Sequence, residues 1–374
     1  MKKFIEKHRV TLFIFVCLFF WRFFLFTVEQ NRTFIPQKPE YLGELFQSNF
    51  DGVYYSAISQ YWYRGLDQAF FPFYPITIKF VSLLTSLHSS TAGIIVSVTA
   101  LFLLLKILSL LMDLDGFKNK SFWAVILYVS FPTSFFFSAV YTESLFLLLT
   151  LLSFYFARKK MRYTASLVAA FASATRIIGI FLLPSLFLEF YSQLKDLKLN
   201  KTKMTYIFHF LPLALVPVGL FSYMVFLWYK YGDPLLFVHI QPYFGAGRSG
   251  GGVILLPQVL YRYVKIFMSV SPSSFTFFIA GLELATLVLI TLTLILALKT
   301  KIKKSYILFA FLAIYFPTLS GTLSSLPRYA MVCFAVFIYL SLIRNDYIKL
   351  IIFLLFIFLQ VFLAMLFFQG YFVS

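Results

Sequence analysis

Acidic residues are scarce in this chain: Asp and Glu supply 14 of 374 positions against 32 Lys and Arg, and charged residues together reach only 12%. A soluble domain carries roughly a quarter charged residues. With 61% hydrophobic residues, 51 Phe and a mean hydropathy of +0.87, a water-soluble globule is excluded. The two cysteines, Cys17 and Cys333, both lie in apolar runs, which excludes a disulfide framework and points to no thiol chemistry. His8, His88, His209 and His239 form no pair at helical spacing, so no zinc motif is readable. No internal repeat is visible, and the apolar runs do not alternate with polar residues as strands of a membrane barrel would.

What the chain does contain is a series of apolar runs separated by short basic clusters. A bilayer core needs about 20 apolar residues per helix, and the sequence predicts an all-α polytopic membrane protein of about eleven spans, organised as one domain over 1–374. The first span covers about 10–28; the run holds Trp21 and Arg22 and ends without a small-residue cleavage site, so it reads as a retained helix rather than a signal peptide. A large outer loop, about 29–90, contains the apolar stretch Ile76–Leu87, interrupted by Lys79 and read as an interfacial helix. Spans 2 to 6 fall at about 91–111, 121–140, 144–157, 163–177 and 178–193, and span 7 at about 206–229. A second outer segment, about 230–273, precedes spans 8 to 11 at about 274–298, 305–319, 328–343 and 347–369.

The net charge of +18 follows this division. Lys2/Lys3/Lys7/Arg9, Lys118/Lys120, Arg158/Lys159/Lys160/Arg162, Lys195/Lys198/Lys201/Lys203, Lys299/Lys301/Lys303/Lys304 and Arg344/Lys349, twenty of the 32 basic residues, all fall on one side of the predicted map. Short positive loops mark the cytoplasmic face. The charge therefore reads as topology, with the N-terminus cytoplasmic and the C-terminus outside, and implies no nucleic-acid partner. Asp113 and Asp115, in a turn on that side, read as solvated.

The outer face collects the remaining ionisable residues. Asp51 lies in Asn49-Phe-Asp-Gly-Val-Tyr-Tyr-Ser-Ala-Ile58, just before Phe70-Phe-Pro-Phe-Tyr-Pro75, and Glu143 stands at the outer start of span 4. Arg176 falls at an outer helix junction and Arg328 at the start of span 10. Two carboxylates and two guanidiniums on one membrane face suit proton transfer from a hydroxyl and recognition of a phosphate. Each also has a structural alternative: a helix cap for Asp51, an answer to the helix dipole for Glu143, and snorkelling anchors for the arginines. Gly245-Ala-Gly-Arg-Ser-Gly-Gly-Gly252 matches no nucleotide-binding fingerprint; with Arg248 it reads as a flexible lid or linker. Glu283, within span 8, points inward to an unidentified partner.

The chain resembles the PIG-V family of mannosyltransferases, within the GT-C class of polyprenyl-phosphate-sugar-dependent glycosyltransferases. The resemblance rests on Asp-Gly-x-Tyr-Tyr-x-x-Ile at 51–58, Phe70-Phe-Pro-Phe-Tyr-Pro75, Tyr141-Thr-Glu-Ser144, Thr175-Arg176, Tyr231-Gly-Asp-Pro234 and Ser325-Leu-Pro-Arg-Tyr329, in family order. Phe50 stands where the family usually has Trp, a change that keeps packing but loses an indole N–H. The resemblance implies a GT-C-like helical bundle and an inverting transferase. Its donor would be a sugar, mannose foremost, on a polyprenyl phosphate, and its acceptor a glycan, lipid or protein hydroxyl on the extracytoplasmic face. Asp51 would be the general base, Glu143 would orient the acceptor or hold a divalent metal, and Arg176 and Arg328 are candidates for the donor phosphate. The competing class is a transporter or flippase of lipid-linked saccharides; such proteins often show internal repeats and paired broken helices near mid-membrane, and neither is visible in this sequence.

Overall fold

Every regular element is helical, and no strand occurs among the described residues, 2–38, 45–196 and 203–373, of the computed structural model. In chain order, α1 (Lys2–Gln30) precedes two shorter helices, α2 (Asp51–Tyr61) and α3 (Phe73–Thr85), and then α4 (Ser89–Leu114). Next come α5 (Ser121–Ser130), α6 (Glu143–Arg158), α7 (Arg162–Ser173) and α8 (Leu182–Asp196). After α9 (Lys203–Phe210), α10 (Val218–Tyr231), α11 (Leu236–His239) and α12 (Leu256–Ser269) comes the long α13 (Phe275–Ala297). The last helices are α14 (Lys304–Tyr315), α15 (Leu326–Ala330), α16 (Phe334–Leu342) and α17 (Asp346–Phe368).

Among the described residues, five helical segments are long and apolar enough to cross a membrane: His8–Gln30, Ser89–Leu114, Ile177–Lys195, Phe275–Ala297 and Asp346–Phe368. Tyr206–Leu215 and Val218–Tyr231, bent by 43°, make a sixth if counted as one span. The protein is thus an all-α membrane protein. The runs expected to span at 144–157 and 305–319 are covered by α6 and by the helical stretch Lys304–Ser320, both shorter than the five long segments, while those at 121–140, 163–177 and 328–343 form helices shorter than the run. Proline explains several of these breaks: α5 stops two residues before Pro132, α14 stops two residues before Pro317, and Pro327 lies in the first turn of α15. Of the stretch Ile76–Leu87, expected to form an interfacial helix, Ile76–Thr85 is helical and belongs to α3, which has Tyr74 and Ile78 buried and Ile76, Phe80, Leu83 and Leu84 exposed.

The bundle has two unlike ends. At one, the segment after α1 meets the C-terminus: Gln369 Nε2 donates to the Arg32 carbonyl (2.9 Å), Lys38 N to the Gln369 carbonyl (2.8 Å) and Asn49 Nδ2 to the Phe367 carbonyl (2.8 Å). At the other, α4, α6, α8 and α14 are tied by one polar cluster. Arg158 Nε binds Asp115 Oδ1 (2.9 Å) and its Nη1 binds Glu189 Oε1 (3.1 Å). Tyr306 Oη donates to Asp115 Oδ2 (2.7 Å), and Ser305 Oγ to Glu189 Oε2 (3.0 Å). Asp115 is therefore not the solvated loop residue expected; its carboxylate is 2% exposed because Arg158 and Tyr306 close over it. Burial pushes its carboxyl above the usual range, against the pull of Tyr306 and Arg158. Following the helices from this cluster places Lys118/Lys120, Arg158–Arg162, Lys195 and Lys299–Lys304 at the same end. Arg344 and Lys349 join them, since Lys349 Nζ stacks 4.7 Å over Trp123 at the start of α5. Lys198 and Lys201, expected in the same basic set, lie outside the described residues.

Candidate active site

Asp51 opens α2 and follows a strained residue. Phe50 has φ 53° and ψ −115°, a conformation that L-residues seldom adopt and that costs about 1–3 kcal/mol. It is held by its surroundings: Asn49 is fully buried, its carbonyl takes the Tyr141 hydroxyl (2.9 Å), and the Phe50 ring packs 5.4 Å from Phe372 and 6.0 Å from Phe367. Gly52 packs beside α6's leading segment, where a Cβ would meet the Val140 carbonyl oxygen at an ordinary contact distance of 3.4 Å. Ser325, three residues before Arg328, has φ 69°, so strained non-glycine backbone precedes both Asp51 and Arg328.

Glu143 is the first residue of α6, Arg176 caps the 3-10 helix Ile177–Phe181, and Arg328 sits in α15 between two helix breaks. Irregular backbone at membrane depth is tolerated where it is buried in protein or lines a cavity, and these breaks do both. Arg328 Nη1 binds Asp51 Oδ2 at 2.6 Å, Arg176 Nη1 binds Glu143 Oε1 at 2.6 Å, and Arg328 Nε lies 3.3 Å from the same Oε1. The four residues thus form one chain of alternating charge. Its members differ in exposure: side chains of Glu143, Arg328 and Arg176 are 2%, 7% and 10% exposed, while Asp51 is 23% exposed. Aromatic faces complete the enclosure, with Arg328 5.2 Å over Tyr141 and Arg176 4.8 Å over Tyr329. Such burial is not that of a snorkelling anchor, whose charged head reaches water.

All five sequence candidates, Asp51, Glu143, Arg176, Arg248 and Arg328, line one cavity of ≈ 840 Å³, towards the upper end of small-molecule sites. Arg248 enters from the glycine-rich loop, its Nη2 3.4 Å from Ser325 Oγ. The loop is pinned rather than free: Ser249 N donates to the Ser320 carbonyl (2.8 Å) and Ile254 N to the Leu319 carbonyl (2.9 Å). Glu283 gains its partner here, the buried Tyr263 hydroxyl, which also accepts from Leu323 N (3.1 Å). In Tyr231-Gly-Asp-Pro234, the Asp233 carboxylate pairs with His239 Nδ1 at 2.6 Å outside the cavity lining, and the imidazole holds that carboxyl below its usual range.

Several contributors were not assigned individually from the sequence, although Tyr54, Phe70 and Thr142 stand within its motifs. Lys38 lines the cavity with its Nζ 4.5 Å over Tyr371, and no motif marks it. Tyr54 stacks on Phe70 at 4.8 Å, with Phe244 5.6 Å from both rings, forming an aromatic wall. Thr142, which takes an N–H from Arg176 at 3.3 Å, is adjacent to Glu143 and was legible only as part of that motif.

The donor set does not fit a divalent cation. Both carboxylates already face guanidiniums, and a dication between them would confront Arg176 and Arg328; no group of three metal-ligating side chains occurs among the described residues. No protein-family model matches the chain, and no curated protein matches it.

Proposed function

We propose that this protein is an inverting GT-C-type glycosyltransferase with eleven membrane spans. It moves a sugar, mannose by the family resemblance, from a polyprenyl-phosphate donor to an acceptor hydroxyl on the extracytoplasmic face. The observation that carries the reading is the convergence of Asp51, Glu143, Arg176, Arg248 and Arg328, from five separated segments, on one cavity. The basic clusters lie at the opposite end of the bundle, which supports an extracytoplasmic cavity under the positive-inside rule.

Asp51 is the most exposed member of the ion network, and among the described residues its Oδ1 has no protein partner. That oxygen takes the acceptor proton. The acceptor oxygen then bonds to the sugar C1 as the C1–O bond to phosphate breaks, and the phosphate leaves with the electron pair; a single displacement inverts C1. General-base assistance of this kind is worth roughly 10²–10⁴-fold. Arg176 and Arg328 each use one Nη on a carboxylate, and neither Nη2 has a protein acceptor among the described residues. Those N–H groups, with Arg248, receive the charge that develops on the leaving phosphate in a site shielded from water. Glu143, buried beneath both guanidiniums, is a positioning residue that sets their spacing. The aromatic wall of Tyr54, Phe70 and Phe244 supplies a stacking face for a sugar ring.

Mass spectrometry of cell-envelope glycans with and without the protein tests this reading, together with transfer from a short-chain polyprenyl-phosphate mannose by the purified protein. A hexose lost from one glycan and regained on complementation is expected. Unchanged glycans combined with protein-dependent movement of a lipid-linked saccharide across the bilayer would favour the flippase class.

A further inference from the structure

α12 is divided into three faces rather than two. Successive residues turn by about 100° around a helix, so Val259, Tyr263 and Ile266 share one side, and Val259 and Tyr263 are buried against the protein. Leu260, Tyr261, Val264 and Met268 fall on a second side and are 37%, 60%, 51% and 84% exposed. Gln258, Arg262, Lys265 and Ser269 fall on the third, which is polar and also exposed. A soluble helix needs only a buried and a wetted side. The second side is apolar surface that the protein itself leaves uncovered.

The position of α12 identifies what covers it. Only residues 270–274 separate it from the membrane-spanning α13, a link that reaches at most about 18 Å. Phe267 packs 5.0 Å from Phe277, and the Tyr263 hydroxyl reaches Glu283, about two turns into α13. At 14 residues α12 is too short to cross the bilayer, yet it is fastened beside the outer part of a helix that does. Lys265, its Nζ 4.7 Å over Tyr261, lies at the edge of the apolar side, where a cation meets lipid headgroups.

The polar side is tied to the cavity. Arg262 Nη1 donates to the Gly321 carbonyl (2.8 Å) and lies 3.4 Å from the Gly247 carbonyl. That joins the glycine-rich loop carrying Arg248 to the break between α14 and α15. The fit is close: a Cβ on Gly321, whose φ is +96°, would lie 2.6 Å from Arg262 Nη1.

We propose that α12 is a membrane-surface anchor, its Leu260/Tyr261/Val264/Met268 side lodged in the outer lipid interface, and that Arg262 couples this anchor to the loop that closes over the cavity. The inference requires the membrane, not the transfer chemistry, and stands or falls separately from the proposed reaction.

Nitroxide labelling tests it on the full chain with Cys17→Ala, in nanodiscs of phosphatidylcholine and phosphatidylglycerol, with buried Cys333 retained. Single Gln258→Cys, Leu260→Cys, Tyr261→Cys, Val264→Cys, Lys265→Cys and Met268→Cys variants are compared for collision with oxygen and with a water-soluble nickel chelate. Oxygen should dominate at 260, 261, 264 and 268 and the chelate at 258 and 265. Chelate access dominating at all six positions would overturn the anchor. Loss of both collisions with spin–spin broadening would replace lipid by a second copy of the chain. For the coupling, Arg262→Gln should increase the mobility of a label at Val253→Cys while α12 keeps its depth; unchanged mobility would remove the link to the loop.

Discussion

The two ends of the bundle use the same chemistry to opposite effect. At the basic end, Arg158 holds Asp115 and Glu189, and all four carboxylate oxygens are occupied: Asp115 by Arg158 and Tyr306, Glu189 by Arg158, Gln193 (3.2 Å) and Ser305. At the cavity end, Arg328 and Arg176 hold Asp51 and Glu143, but Asp51 Oδ1 has no protein partner among the described residues and Glu143 Oε2 is buried without one. A saturated cluster locks helices together. An unsaturated one that faces a cavity retains capacity for a ligand.

That contrast is sharpest for the carboxylates. Asp51→Asn should reduce transfer by roughly 10²–10⁴-fold, because the amide keeps the shape but cannot take a proton, while the protein remains folded. Asp115→Asn should leave turnover within a few-fold and lower thermal stability instead. Paired kinetics and melting curves of the two variants decide it; if Asp51→Asn turns over normally, the proposed base is wrong.

The arginines come next. Removing one partner of a buried pair costs about 3–5 kcal/mol, so Arg328→Ala and Arg158→Ala should both destabilise, which melting in detergent reads. Lysine separates them. Arg158→Lys should recover most of the stability and leave transfer untouched, whereas Arg328→Lys and Arg176→Lys lose the planar fork and should weaken donor affinity or turnover even where the fold recovers. Equal donor titrations for all three Lys variants would erase the distinction between the ends.

Sidedness is a question of access. Gln37→Cys, at the exposed cavity end, and Lys159→Cys, at the exposed basic end, should react with an impermeant thiol reagent from opposite sides of a sealed membrane. Reaction from the same side would break the topology. The smallest effect is expected at the exposed Asp233–His239 pair. His239 holds the Asp233 carboxyl below its ordinary range, so any stabilisation is present at neutral pH and lost as pH falls through the lowered value. Asp233→Asn should change the neutral-pH melting temperature only slightly, since exposed pairs contribute little.

Much of this was legible in the sequence because hydropathy is a local property. Apolar runs of span length marked α1, α4, α13 and α17, and the one-sided basic clusters anticipated the end opposite the cavity. Local pattern served less well where proline divides a run, as in α5 and around α14 and α15. It also placed Asp115 in a solvated turn, because the Arg158 and Tyr306 that bury it lie 43 and 191 positions away. Lys38 carried no signal at all, since an isolated lysine in a loop looks alike whether it faces a cavity or bulk water.

The sequence by itself determined the class of the protein and its short roster of chemical groups: a chain with so few carboxylates, and so apolar, can only be a membrane protein whose polar residues are individually conspicuous. Which groups act together was decided by the tertiary structure. Asp51 and Arg328 are 277 positions apart, and their pairing depends on the breaks after α5 and around α15, the strained backbone at Phe50 and Ser325, and the C-terminal segment folded against Asn49. Coulombic attraction at 2.6 Å is set by where packing puts two side chains, and no local feature of either segment encodes that distance.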